Sequence, residues 1–168
     1  MTGNLNLEKE REKFESKQRS RDRIVDLYSE DRVIEQLEKK AEREDWIVVE
    51  KHPGLEHGVD LKLQKGNRII VIEAKGERRS RTQHSAVEGA LGAIIMHMTE
   101  RTANRAYCVA FPSTDAFRNL VRNVPMMPRQ RLGLNIIFVE ETVLLNVLFP
   151  NAPNPSKLNN FDELFNPG

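Results

Sequence analysis

Residues 57–76 read His57-Gly58-Val59-Asp60-Leu61-Lys62-Leu63-Gln64-Lys65-Gly66-Asn67-Arg68-Ile69-Ile70-Val71-Ile72-Glu73-Ala74-Lys75-Gly76. From Val59 to Gln64 apolar and polar residues alternate, which puts Val59, Leu61 and Leu63 on one face of a strand and Asp60, Lys62 and Gln64 on the other. Gly66-Asn67 is a two-residue hairpin signal, and the β-branched run Ile69–Ile72 behind it is a second strand. A turn at Gly66-Asn67 pairs residues whose numbers sum to 133, so Asp60 stands opposite Glu73. Lys75 shares the Glu73 face.

Opposed positions in an antiparallel pair hold their Cβ atoms roughly 4.5–5.5 Å apart, and like charges there destabilise the sheet. A divalent cation offsets that repulsion, because Mg²⁺ takes one or two carboxylates from protein and leaves its other sites to water and substrate phosphate. An ammonium beside the ion, that of Lys75, suits the handling of an attacking water and of the charge that builds on a phosphate. The constellation therefore points to metal-assisted phosphodiester hydrolysis. The plainer alternative is that Asp60 and Glu73 pair with Lys75 and Lys62 on a solvated sheet face.

The arrangement resembles the PD-(D/E)xK nuclease superfamily, with Asp60 matching the first acid and Glu73-Ala74-Lys75 the second half of the motif. Val59 stands where the motif name has Pro, a position that varies within the superfamily. The resemblance spans roughly Glu30 to Leu148. It implies an α/β restriction-endonuclease-like three-layer sandwich, a central mixed sheet flanked by helices in the order αβββαβαββ. It also implies DNA as substrate, Mg²⁺ or Mn²⁺ as cofactor, Asp60 and Glu73 as metal ligands, and Lys75 as the residue that positions the water. A Glu from the first helix often reaches such a site. At about 100° per residue, Val33, Ile34, Leu37 and Ala41 make one stripe of the helix expected over Glu30–Glu44. Glu30 falls inside that stripe, whereas Glu38 and Glu35 turn toward solvent. Glu30 is thus the expected third acid, although a first-turn acid also suits a helix N-terminus without any metal. Relatives often carry Gln after an Ala-Leu-Gly segment on the helix that follows the motif. Here Ala90-Leu91-Gly92 is followed by Ala93, leaving Gln83 and Ser85 at the helix start as substitutes for contacting phosphate or water.

The net charge of +1 hides an asymmetry: residues 1–56 carry 12 basic and 15 acidic side chains, whereas residues 57–140 carry 13 and 7. The excess of positive charge falls with the candidate site, and phosphate-backbone binding draws on such residues. Arg78, Arg79 and Arg81 leave the strand beside the chemistry and are the expected nucleic-acid contacts, with His57 and His52 weaker candidates for a base or phosphate contact. The later arginines, Arg101, Arg105, Arg118, Arg122, Arg129 and Arg131, fit a solvated surface as well as a phosphate track.

With 168 residues, 39% hydrophobic and 30% charged, the chain suits one domain. The divisions expected are a charged arm over 1–23, a nuclease-like domain over 24–149 and a Pro/Asn-rich tail over 150–168. The arm and tail are the places for a protein partner, and a homodimer is compatible with the arm. Phe161–Phe165 has the more ordinary fate of packing back on its own domain. One cysteine, Cys108, cannot form an internal disulfide or a cysteine metal cage. No run approaches the ~20 apolar residues of a membrane span, and the expected location is cytoplasmic. Further expected elements are strands at Trp46–Glu50, Arg105–Phe111, Leu134–Val139 and Thr142–Leu148, with helices over Gln83–Met98 and Thr114–Asn123. Pro125 and Pro128 are read as a stop, Met96 and Met98 as core or near it, and Gly89 and Gly92 as allowing their helix close to the sheet. The competing functional class is a non-cleaving nucleic-acid-binding or scaffolding protein that keeps this fold.

Overall fold

The structure, a computed structural model, describes residues 12–20, 28–52, 58–77 and 83–165. In chain order these form α1 (residues 12–20), α2 (Glu30–Arg43), β1 (Ile47–Glu50), β2 (Leu61–Lys65) and β3 (Arg68–Ala74). There follow α3 (Gln83–His97), β4 (Arg105–Pro112), α4 (Asp115–Arg122), α5 (Met126–Leu132), β5 (Leu134–Val139), β6 (Leu145–Leu148), β7 (Ser156–Lys157) and a 3₁₀ turn at Phe161–Phe165. His57, Arg78, Arg79 and Arg81 lie outside the described residues, as do residues 1–11 and 21–23 of the expected arm.

The seven strands make one sheet in sequential order, β1 to β7. The hairpin closes as its turn chemistry requires: Gly66 takes φ 60°, and the register Leu61↔Ile72 through Lys65↔Arg68 sums to 133 at each step. β3, β4 and β5 then run parallel, and β6 and β7 return antiparallel. The crossover from β3 to β4 is α3, and that from β4 to β5 contains α4 and α5.

Alternation along the parallel strands feeds two cores. Ile70, Ile72, Ala74, Cys108, Ala110, Ile137 and Val139 face Val33, Ile34 and Leu37 of α2. Val71, Val109, Phe111, Ile136 and Phe138 face Val87, Ala90 and Ile94 of α3 and Phe117 and Val121 of α4. The result is the expected three-layer α/β sandwich. Ser29 caps α2 through its hydroxyl, which accepts the Arg32 N–H, and Thr114 caps α4 in the same way.

Several local expectations are corrected. The helix expected over Thr114–Asn123 does end before Pro125, at Arg122, but a further short helix follows: Pro125 occupies the N-cap position of α5, and Pro128 sits in its first turn, where a missing N–H breaks no helical bond. Met96 is 80% exposed, not core. Gly89 and Gly92 face outward, where an added Cβ would meet nothing, so they do not bring α3 close to the sheet. Residues 156–165 pack on the sheet. β7 pairs with β6, and Phe161 and Leu164 complete the core beneath α2, where Trp46 meets Phe161 edge-on and Phe165 face-on.

Candidate active site

The hairpin register carries Asp60 and Glu73 to the carboxyl end of β3, and the burial around them is severe: Asp60 is 3% exposed and Glu73 5%. Asp60 is held by the backbone, since its Oδ2 accepts the Ala74 N–H at 2.7 Å. Lys75 folds back over the pair. Its Nζ donates to Glu73 Oε1 at 2.7 Å, to Asp60 Oδ2 at 3.2 Å and to the Ala74 carbonyl at 2.7 Å. Glu30, from the first turn of α2, brings Oε2 to 3.7 Å from the same nitrogen. Three acids from three elements thus meet one ammonium.

The plainer ion-pair alternative is met in part, since Asp60 and Glu73 both pair with Lys75, but the face is not solvated. Lys62 pairs with Glu50, not with Glu73, and the acids are buried. Of the other acids of α2, Glu35 is bound to Arg32 and Lys39, and Glu38 to Lys51, so neither belongs to the cluster.

Burial raises the Glu73 carboxyl above its usual range, Lys75 opposes that rise, and the neighbouring Asp60 adds to it by charge and hydrogen bonding. Burial by itself would lower the Lys75 ammonium. Its hydrogen bond to Glu73 and the charges of Asp60, Glu73 and Glu30 outweigh that, leaving its pKa raised. Two buried carboxylates side by side, one of them pushed toward protonation, are a donor set that a hard divalent cation relieves. Asp60 and Glu73 therefore fit Mg²⁺ or Mn²⁺. Among the described residues no three His, Cys, Asp or Glu side chains converge as a ready metal cage.

Gly76, which the motif reading passed over, decides whether α2 can reach the site. A Cβ there would overlap the Glu30 nitrogen and the Ser29 carbonyl carbon and stand 2.7 Å from the Tyr28 oxygen. The next residue locks the approach, for the Glu77 N–H donates to the Tyr28 carbonyl at 2.8 Å. A glycine directly after the last residue of the motif was the available signal.

The remaining candidates are dispersed. Gln83 opens α3 half-buried and Ser85 is exposed two positions further along. His52 sets its Nε2 3.5 Å from Glu50 Oε1, and its ring packs against Gly58, whose φ of 145° and lack of a side chain permit the contact. The later arginines do not form one track. Arg105 pairs with Glu100, Arg101 bonds the Arg131 carbonyl, and Arg129 is 4% exposed inside the fold.

No protein-family model and no curated protein matches the chain. Among solved structures it is similar to an fdxN element excision controlling factor protein from Anabaena variabilis, at 16% identity and a TM-score of 0.49, over 67% of this chain and 95% of that one. It is also similar to an XisH family protein from Nostoc punctiforme PCC 73102, at 15% identity and a TM-score of 0.49, over 76% of this chain and 99% of that one. Among the described residues no helix is long and apolar enough to cross a membrane.

Proposed function

We propose that the chain is a metal-dependent nuclease that hydrolyses phosphodiester bonds of DNA. The supporting observation is the meeting of Asp60, Glu73 and Glu30 on Lys75 Nζ, at 3.2, 2.7 and 3.7 Å, at the carboxyl end of the parallel strands. Ligands of open α/β sheets bind at that end.

In this reading Asp60 and Glu73 hold Mg²⁺ or Mn²⁺, with Glu30 completing the shell directly or through water. The bound ion supplies Lewis-acid polarisation of the scissile phosphate and makes water a better nucleophile near neutral pH. The Ala74 N–H fixes the Asp60 carboxylate so that it does not swing away when the site fills. Lys75 presents its ammonium to the attacking water and to the developing charge on phosphorus, while Glu30 limits the positions that the ammonium can take. Gln83 and Ser85 at the start of α3 and the basic residues Arg78, Arg79 and Arg81, with His57, are the proposed contacts to the strand.

The test is incubation of the full chain with duplex, flap, junction and single-stranded DNA plus Mg²⁺ or Mn²⁺. Asp60→Ala and Lys75→Ala are expected to lower cleavage by at least about a hundredfold while circular dichroism stays native. Full activity in either variant rejects the assignment.

Two observations favour the non-cleaving alternative: the ammonium of Lys75 already bonds both acids, and Ala93 offers no polar group on α3. A calorimetric Mg²⁺ titration separates the two readings. Absence of binding, with DNA affinity unchanged in Asp60→Ala, would select the binder.

A further inference from the structure

Away from Lys75, α4, β5, β6 and the turn at 153–155 enclose a cavity of about 110 Å³, lined among others by Arg118, Arg122, Arg129, Phe138, Leu148 and Asn154. No Asp or Glu lines it. Arg118 and Arg122 stand one turn apart on α4, so their side chains leave the same helix face. Arg129 comes from α5 and is 4% exposed. Its Nη1 donates to the Phe149 carbonyl at 2.8 Å and its Nη2 to the Ala152 carbonyl at 3.3 Å. Its Nε–H has no partner among the described residues.

A buried guanidinium answered only by two carbonyls leaves its charge unneutralised, and removing a charge from water without a counter-charge is expensive. Burial lowers the Arg129 pKa, consistent with a cation that lacks its anion. Arg118 is partly served by Ser113 and by Glu140 at 3.5 Å, and it lies over the Phe138 ring. The polar contact of Arg122 is a 3.2 Å bond to Asn119, and among the described residues it has no acidic partner. Three forks around one small cavity call for an anion of more than one charge with several acceptor oxygens. A phosphomonoester, at about −1.5 to −2 near pH 7, meets that demand. The apolar walls from Phe138 and Leu148 suit the carbon atoms that carry it.

We infer that this cavity is a phosphomonoester-binding site, with Arg129 as its floor and Arg118 and Arg122 as its rim. Phe138 belongs to the sheet face of Val71, the face that Glu73 also takes, and β5 lies two strands from β3. At about 4.8 Å per strand the site is displaced laterally from Lys75 by about 10 Å. The phosphate has two sources that this chemistry does not separate, the end of a nucleic-acid strand and a free small-molecule phosphate.

The experiment titrates the full chain with inorganic phosphate at matched ionic strength and follows the Arg129 Nε–Hε resonance by NMR. A saturable shift is expected, together with a higher thermal midpoint than in matched chloride. Arg122→Glu, on the exposed rim, should keep native circular dichroism and bind phosphate at least tenfold more weakly. An unmoved Arg129 resonance, or undiminished binding by Arg122→Glu, overturns the proposal. Comparison of a 5′-phosphorylated trinucleotide, its 5′-hydroxyl counterpart and a sugar phosphate then identifies the source. Preference for the phosphorylated strand supports a strand end, and equal binding of the sugar phosphate supports a free ligand. Asp60→Ala should bind phosphate normally, so failure of the metal site would leave this result intact.

Discussion

Single residues set the geometry on which the candidate chemistry depends. Gly76 is the clearest case, because the backbone of Ser29 and Glu30 fills the space that any side chain there would need. Gly76→Ala is expected to push the N-terminus of α2 off the sheet at a cost of about 1–3 kcal/mol, the range for overpacking. Chemical denaturation measures the loss, and Glu30 should separate from Lys75 in a structure of the variant. Lys75 makes a second prediction through its titration. Its folded pKa is raised, so its stabilising effect is complete below the ordinary lysine value of about 10.4 and disappears as pH climbs through the folded value. The stability difference between the native chain and Lys75→Met should therefore hold steady up to about pH 10.4 and shrink above it in urea titrations. A difference that stays constant would mean that the ammonium does not stabilise the acids.

Whole elements explain why these side chains are held so firmly. β3 is an interior strand: β2 pairs on one side and β4 on the other, so Glu73 sits on a strand with both neighbours in place. α2 delivers Glu30 because its stripe of Val33, Ile34 and Leu37 is anchored in the core. That anchoring depends on the C-terminal segment. Phe161 is fully buried against Trp46, and the Lys40 ammonium lies 5.7 Å from its ring centre. Phe161→Ala should cost about 3–5 kcal/mol, as for other large aromatic deletions in cores. Urea unfolding would show it. A loss below about 1 kcal/mol would mean that the segment adds little to the core under α2.

At the scale of the molecule, the sheet gathers groups from distant parts of the chain at one end. Glu30, Asp60, Glu73 and Lys75 come from α2, the start of β2 and the end of β3. If Asp60 and Glu73 hold a divalent ion, binding is linked to folding by mass action. Mg²⁺ at about a hundred times its dissociation constant should stabilise the native chain by about 2.7 kcal/mol, seen as a higher Tm that a chelator reverses. Asp60→Ala should show no such increment. An equal increment in that variant would place the ion elsewhere.

The sequence by itself determined the hairpin and its register from Leu61 to Ile72, because a two-residue turn and a period of two leave no freedom in which residues face one another. That alternation stops at Leu61, since Val59 enters the other core from Leu61 and Leu63, and Asp60 is held beside Glu73 by the Ala74 N–H and Lys75. The sequence also determined the amphipathic stripe of α2 and the mixed α/β order, since both follow from local periodicity. Other features belong to contacts between residues far apart in the chain. The close approach at Gly76, the burial of Arg129, the outward turn of Gly89, Gly92 and Met96, and the return of Phe161 beneath α2 are of this kind. Local spacing is silent on them. What a helix packs against, and whether a charge ends in water or under a strand, is decided only when the two faces of the sheet are covered.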